Sequence, residues 1–378
     1  MGRSLTVIQL VPALGTGGAE RSTIEIAAAL AGAGHRAIVV SAGGPWEARL
    51  AATGAEHVRM DLARKTPLAL RHVARLRRLF VDTGADLVHA RSRLPAWLAW
   101  LALRGLATPR PRFVTTVHGL NSPGRWSGIM ARGERVICVS ETCRRHVLAH
   151  WPETPAARLA VIPRGIDPRE FPAGFKARPE WRAALDAEYP VLAGRPLLVL
   201  PARGTRLKNH ADALRLLARL REAHGVDAGL LLAGVVEPSR AAYRAELEAL
   251  ARSLDVTARV AFSPPREDMR ELLAGADLVL QLSSKPESFG RTVVEALAVG
   301  TPVVGYAHGG VGELLAELQP DGAVTPGHID MLATRAAALI GRRHVGVIPS
   351  RYTLAAMQDA TLSLYHSLLA TATVEAAP

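Results

Sequence analysis

Asp277-Leu-Val-Leu-Gln-Leu282-Ser-Ser-Lys285-Pro-Glu287-Ser-Phe-Gly290-Arg-Thr-Val-Val-Glu295-Ala-Leu-Ala-Val-Gly300-Thr-Pro302-Val-Val-Gly305 contains two kinds of hydrophobic pattern in alternation. Asp277–Leu282 is a short apolar run closed by Ser-Ser-Lys-Pro and reads as a buried strand. Gly290–Ala298 carries apolar residues at helical spacing, and Gly300-Thr-Pro302 stops it. Pro302–Gly305 is again strand-like. A strand, a helix and a second strand in this order are the repeating unit of a parallel α/β sheet.

Working outward, the same alternation fills the chain. In the first half the strand-like runs are Leu5–Val11, Ala37–Ser41, Ala55–Met60, Leu87–Ala90, Phe113–His118 and Arg135–Ser140, with helices at Ala19–Ala31 and Leu68–Phe80. In the second half Leu197–Pro201, Gly229–Gly234 and Val260–Phe262 are strands, and Ala211–Glu222 and Ala241–Leu254 are helices. Arg351–Ala370 reads as a closing helix. At 378 residues the chain is long enough for two domains. The expected division is an N-terminal Rossmann-like domain over 1–168, a linker region over 169–195, a C-terminal Rossmann-like domain over 196–345, and a final helix and tail over 346–378 that crosses back. The Pro/Gly-rich stretch Pro163-Arg-Gly-Ile-Asp-Pro168 marks the break. Two such domains facing across a cleft would bind ligand at the carboxyl ends of their strands.

Composition excludes several classes. Apolar residues make up 49% and charged residues 21%, which argues for real cores, and aromatics at 4% make those cores aliphatic. The longest apolar candidate for a membrane span, Leu94–Leu103, is closed by Arg93 and Arg104. No signal-peptide pattern is read at the start. Cys138 and Cys143 fit neither a disulfide framework nor a common zinc spacing and are expected to be inert thiols.

The net charge of +12 is uneven: residues 1–175 carry 24 basic and 12 acidic side chains, whereas the remainder balances at 22 each. The densest cluster is Arg64, Lys65, Arg71, Arg75, Arg77 and Arg78, punctuated by Leu70, Val73, Leu76 and Phe80. It reads as a basic amphipathic helix, either a solvated surface or a face for anionic lipid. No RNP motif, helix-turn-helix or zinc finger is present, so nucleic acid is not an expected partner.

The chemistry concentrates in the opening stretch. Glu287 and Glu295, with seven residues between them, are too separated for a close acid/base pair and suit gripping different parts of one elongated ligand. Amides of Phe289 and Gly290 at a helix start suit phosphate oxygens. Ser288 or a neighbour is expected to cap that helix, with Glu295 about two turns along it.

This segment resembles the E-x7-E signature of retaining GT-B glycosyltransferases of the glycogen-synthase-like group, glycosyltransferase family 4. The resemblance runs along nearly the whole chain. Gly15-Thr-Gly-Gly-Ala-Glu-Arg21 resembles the family's glycine-rich loop, and Thr116-Val-His118-Gly119 its His-Gly motif. Ile162-Pro-Arg-Gly-Ile-Asp167 resembles its Pro-Asn-Gly-Val/Ile-Asp linker. Ala202-Arg203 through Lys208 resembles the phosphate site, and Gly309-Gly310-Val-Gly-Glu313 the Gly-Gly-x-x-Glu turn. Val88-His-Ala-Arg-Ser-Arg93 is similar to a bacterial subgroup assigned to cell-envelope saccharides.

The resemblance implies a nucleotide-sugar substrate, UDP- or GDP-linked, with no further cofactor. The first domain would handle a saccharide or lipid-linked acceptor and the second the donor. Arg203 and Lys208 would clamp the diphosphate, and no Asp-x-Asp occurs to suggest a metal. Glu295 would bind ribose hydroxyls, Glu287 hydroxyls of the transferred sugar, and His118 would contact that sugar as oxocarbenium character develops. Configuration would be retained, the leaving phosphate helping to deprotonate the acceptor. Gly17 and Gly18 would let backbone approach phosphate or acceptor, or simply make a tight turn. Arg91 and Arg93 are expected to face the cleft toward an anionic acceptor. The expected location is cytoplasmic, peripheral on the inner face of the membrane.

Three departures stand out: Ala202 for the usual Gly before Arg203, Asn209 for the Gly after Lys208, and Arg164 for the linker Asn. Two other readings stay open, a GT-B sugar-nucleotide epimerase and an inactive transferase-like binding subunit. A dehydrogenase is a poor fit, because Gly15-x-Gly17-Gly18 is not G-x-G-x-x-G and Val40-Ser41 ends its strand without an acid.

Overall fold

The computed structural model describes residues 3–64 and 67–375, so Lys65 of the basic cluster lies outside the described residues. The chain forms two compact units, one running to Arg164 and resuming at Leu354, the other Gly165–Thr353.

Among the described residues the first unit holds seven parallel strands: β1 (Thr6–Leu10), β2 (Arg36–Ser41), β3 (Glu56–Arg59), β4 (Leu87–Ala90), β5 (Arg112–Val117), β6 (Arg135–Cys138) and β7 (Leu159–Val161), in the order β3-β2-β1-β4-β5-β6-β7. The second unit holds six: β8 (Leu197–Pro201), β9 (Gly229–Ala233), β10 (Val260–Ser263), β11 (Leu278–Gln281), β12 (Val303–Tyr306) and β13 (Ala323–Val324), in the order β10-β9-β8-β11-β12-β13. Both orders are doubly wound. The winding reverses between β1 and β4 in one unit and between β8 and β11 in the other, which creates a crevice at the carboxyl ends of those strands.

Apart from the edge strands β3 and β7, the strands are buried along almost their whole length, as parallel strands covered by helices on both faces must be. Leu198, Leu200, Leu230, Leu232, Leu278 and Leu280 form the centre of the second core. Each contributes about 1.5–3 kcal/mol through burial of its side chain. In the first core Val7, Ile26, Leu30 and Val39 meet Met357, Leu364, Tyr365 and Leu368 of the final helix, Leu354–Glu375. That helix starts three residues later than its sequence pattern suggests. Ser350–Tyr352 forms a 3-10 turn first, and Thr353 bridges to Ile166.

Residues 169–195, read as a linker, are part of the second unit. They contain the helix Pro179–Glu188, tied down where Trp181 Nε1 donates to Asp268 at 2.6 Å and Arg178 pairs with Glu271 at 2.8 Å. The helix expected from Leu68 begins as a 3-10 turn, Pro67–Leu70, and becomes α-helical at Arg71–Asp82. Its buried stripe is His72, Leu76 and Phe80, whereas Leu70 is exposed. Arg71, Arg75 and Arg78 are exposed, and Arg77 reaches Ala102 O at 3.4 Å. No described helix is long and apolar enough to cross a membrane. Cys138 and Cys143 are buried free thiols, burial pushing the Cys138 thiol up to about 12.

Candidate functional site

In the second unit the loops after β8 and β11 flank the reversal point. Arg203 follows β8 by two residues and is exposed. A 3-10 turn, Arg206–Lys208, then leads into the helix His210–His224. The turn depends on Asn209, whose backbone is left-handed at φ 57° and ψ 47°. Asparagine tolerates that conformation better than most residues, which explains how it replaces glycine there. Its Nδ2 donates to Asp212 Oδ2 at 2.6 Å, and Tyr306 Oη donates to the same oxygen at 2.6 Å.

So held, Lys208 reaches across to the loop after β11, where Nζ lies 2.6 Å from Glu287 Oε1. Ser283 Oγ also donates to that oxygen. The Glu287 backbone is clamped from the other side by the Gly309-Gly310 turn. Gly310 N donates to Glu287 O at 2.7 Å, and Glu287 bridges Gly309 in parallel fashion. A Cβ on Gly309 would lie 2.4 Å from Glu287 O, and one on Gly310 would lie 2.5 Å from Phe289 Cα. Two glycines are therefore required for this approach. His308 adds a further tie, Nε2 to Ser283 O at 2.8 Å.

Gly290, at φ 107°, is the N-cap of the helix Arg291–Ala298. Glycine at the N-cap brings no side-chain hydrogen bond of its own to the helix start. Glu295 is the fifth residue of this helix, just past one turn rather than two, and is 6% exposed. The Phe289 side chain is buried, its ring centroid 6.0 Å from that of Tyr352.

In the first unit the glycine-rich loop follows β1. Gly17 is the N-cap of the helix Gly18–Gly32, and a notional Cβ on it would run into the Glu20 carboxylate, whereas Gly18 has nothing within 4 Å of a notional Cβ and the space beside it is open. His118 follows β5 and is half-buried, and its Nδ1 lies 2.9 Å from Arg164 Nη2. Beside it on β4, His89 is fully buried between Tyr365 Oη at 2.6 Å and Thr116 Oγ1 at 2.7 Å. Burial, aided by the charges of Arg91 and Arg164, holds its pKa well below the ordinary histidine value.

Residues 16–170 match the family Glycosyltransferase Family 4, and residues 182–344 match Glycosyl transferases group 1. The chain belongs to the GT-B glycosyltransferases of the family-4 type. A D-inositol 3-phosphate glycosyltransferase of Mycobacterium sp. (strain KMS) is 30% identical over 283 residues, covering 69% of this chain; the chain spans 62% of that relative's length. Among solved structures, a glycosyltransferase from Rickettsia africae ESF-5 superposes with a TM-score of 0.83 at 26% identity, covering 97% of this chain and 99% of that one. Anabaena HepE in complex with UDP and glucose gives 0.79 at 23% identity, covering 96% and 100%.

In this glycosyltransferase the expected donor residues divide by environment. Lys208 and Glu287 are in contact, Arg203 is exposed on the same crevice edge, and Glu295 is buried in the next helix. Arg91 departs from expectation. It is 3% exposed, its Nε and Nη2 donating to Gln9 Oε1 at 2.8 and 2.5 Å and its Nη1 to Ser22 Oγ at 3.2 Å. Burial lowers its pKa to about 10. Arg91 thus braces β4 against β1 instead of facing a ligand. Arg93 starts the helix Arg93–Arg104 and lies 3.4 Å from Ser127 Oγ. Sequence reasoning missed Ser283, which donates directly to Glu287, and His308, Asp212 and Tyr306, which brace the loops that carry the Lys208–Glu287 pair. Only the alternation of strand and loop signals could have pointed to Ser283, one residue beyond the predicted strand.

Proposed function

We propose that the glycosyltransferase moves a sugar from a nucleotide diphosphate to an anionic or lipid-linked saccharide acceptor of the cell envelope, with retention of anomeric configuration and without a metal. The observation that carries the donor half is the Lys208–Glu287 contact at the reversal point of the second sheet, with Arg203 exposed beside it. A diphosphate needs cations and sugar hydroxyls need acceptors, and this pair supplies one of each. As the bond between the anomeric carbon and the phosphate oxygen breaks, Arg203 and Lys208 stabilise the charge gathering on the diphosphate. Glu287 accepts hydrogen bonds from the transferred sugar and Glu295 from the ribose. His118 contacts the sugar, and Gly17, Gly18 and the amides of Phe289 and Gly290 admit phosphate oxygens. The acceptor oxygen bonds to the anomeric carbon on the face that the phosphate leaves, and its proton passes to the departing phosphate oxygen.

The acceptor half rests on charge. The excess of +12 falls entirely within residues 1–175, and the exposed Arg71, Arg75 and Arg78 support peripheral contact with an anionic membrane face. A second reading, a small phosphorylated polyol acceptor, is favoured by the 30% identity to the mycobacterial D-inositol 3-phosphate glycosyltransferase.

Thermal unfolding with and without UDP or GDP tests the donor site: one nucleotide raises the midpoint, and R203A abolishes the rise. No shift with either nucleotide favours the inactive binding subunit. A screen of UDP-, GDP- and ADP-sugars then identifies the donor. Proton NMR of the first-formed product reads the anomeric configuration, and inversion rejects the retaining route. Loss of turnover on chelation rejects metal independence.

A further inference from the structure

We propose that Arg164 is a positioning residue that fixes the imidazole of His118 as the tautomer protonated on Nε2. The inference rests on the reading that His118 contacts the transferred sugar, but its geometry lies wholly within the first unit.

Arg164 is 7% exposed, an unusual burial for a guanidinium. One arm of its fork, Nη2, lies 2.9 Å from His118 Nδ1; the other, Nη1, lies 2.8 Å from Ser22 Oγ and 3.7 Å from Met357 Sδ. A guanidinium donates and never accepts, so the short contact to Nδ1 requires a lone pair on that nitrogen. The neutral ring must then carry its proton on Nε2. A proton on Nδ1 would break the contact, and the doubly protonated imidazolium would in addition set two cations against each other.

The other arm anchors the device. Ser22 lies on the helix behind the glycine-rich loop, and its Oγ also receives Arg91 Nη1, itself held by Gln9. Gln9, Arg91, Ser22, Arg164 and His118 therefore form one chain of contacts running from β1 to the histidine. Only a planar fork can serve Ser22 and His118 together: lysine offers a single point charge, and the Asn usual at this linker position is much shorter. The departure from the family pattern at Arg164 thus has a structural purpose. It makes His118 a fixed hydrogen-bond donor through Nε2, and it removes the Nδ1 lone pair from any role in accepting the acceptor's proton.

The test is nitrogen NMR on the full chain labelled with 15N-histidine, the His118 signals being assigned by their loss in H118Q. The expected wild-type ring is neutral, with a protonated Nε2 and an Nδ1 resonance displaced by an accepted hydrogen bond. In R164M the Nδ1 resonance moves toward that of a free lone pair and both tautomers populate, whereas R164K keeps more of the wild-type signature. A wild-type ring protonated on Nδ1, or an Nδ1 resonance indifferent to R164M, overturns the proposal. Should R164M fail to fold, R164N reads the same loss with a smaller polar group. The rise in unfolding midpoint with UDP, measured on the same samples, reports on residues of the second unit. Its absence in the wild type, with GDP as well as UDP, rejects the donor reading while leaving the tautomer result standing.

Discussion

Lys208 Nζ lies 2.6 Å from Glu287 Oε1, joining the loop after β8 to the loop after β11. The two side chains are 22% and 19% exposed, so the pair is neither freely solvated nor sealed. On the proposed reading, a diphosphate arriving here would compete for the ammonium and release the carboxylate to sugar hydroxyls. The pair is then worth little to folding and much to turnover. A double-mutant cycle with K208M and E287Q is expected to give a coupling of about 1 kcal/mol or less in urea unfolding. Each single change is expected to lower donor turnover by about a hundredfold or more. Full activity in K208M rejects the assigned role.

Three glycines separate fold from function. G309A forces a side chain into φ +60° with its Cβ 2.4 Å from Glu287 O. Strain alone costs about 1–3 kcal/mol, and the displaced Glu287 backbone adds to it. G310A meets Phe289 Cα at 2.5 Å without the adverse φ and tests sterics alone. Gly18 has open space and an ordinary helical backbone, so G18A leaves the unfolding midpoint unchanged or raises it, by about 1 kcal/mol at most. Lost turnover in G18A with intact stability shows that a ligand uses that opening. Unchanged turnover leaves Gly18 as a plain helix start.

The fold was legible because both cores are aliphatic parallel sheets, whose strands announce themselves as short apolar runs. The Glu287–Glu295 segment was legible because loop, glycine and helix follow one another in a single stretch. Arg91 was not. Its burial depends on Gln9 of the neighbouring strand, a partner 82 residues away that local pattern does not reveal. Leu70 was misread because Pro67 starts a 3-10 turn, which rotates the leucine off the stripe defined by His72, Leu76 and Phe80. The tie from Tyr306 to Asp212 spans 94 residues and is equally invisible until the sheet is assembled.

Two buried histidines set a pH dependence. His210 has burial lowering its pKa to about 4, and its Nδ1 has no hydrogen-bond partner among the described residues. His89 in the other unit is likewise held neutral. Below about pH 6.5 the unfolded chain binds protons that these rings refuse in the folded state. Stability therefore falls as pH drops through that window, by about 1.4 kcal/mol per pH unit for each ring, and the His210 contribution flattens near its folded value. Urea unfolding at pH 7.5 and pH 5 is expected to show a loss for the wild type that exceeds that of H210Q by about 2 kcal/mol. Equal losses place the sensitivity elsewhere.

The basic helix Arg71–Asp82 bears on the acceptor. His72, Leu76 and Phe80 face the core, which leaves Arg71, Arg75 and Arg78 on the outer side, with Leu70 at 58% and Val81 at 61% exposure near its two ends. Cations flanked by exposed aliphatics suit the interface of an anionic bilayer. Each arginine near such a surface contributes about 1 kcal/mol, so replacing all three by Gln weakens binding by about a hundredfold. Flotation with vesicles containing anionic lipid is expected to recover the wild type at low salt and to lose it near 1 M salt, where screening reaches about 3 Å. If binding survives high salt or the triple replacement, the attachment is not electrostatic and this helix is an ordinary solvated face. The arginine excess of the first half then serves a soluble phosphorylated acceptor, which turnover with a polyol phosphate would reveal directly.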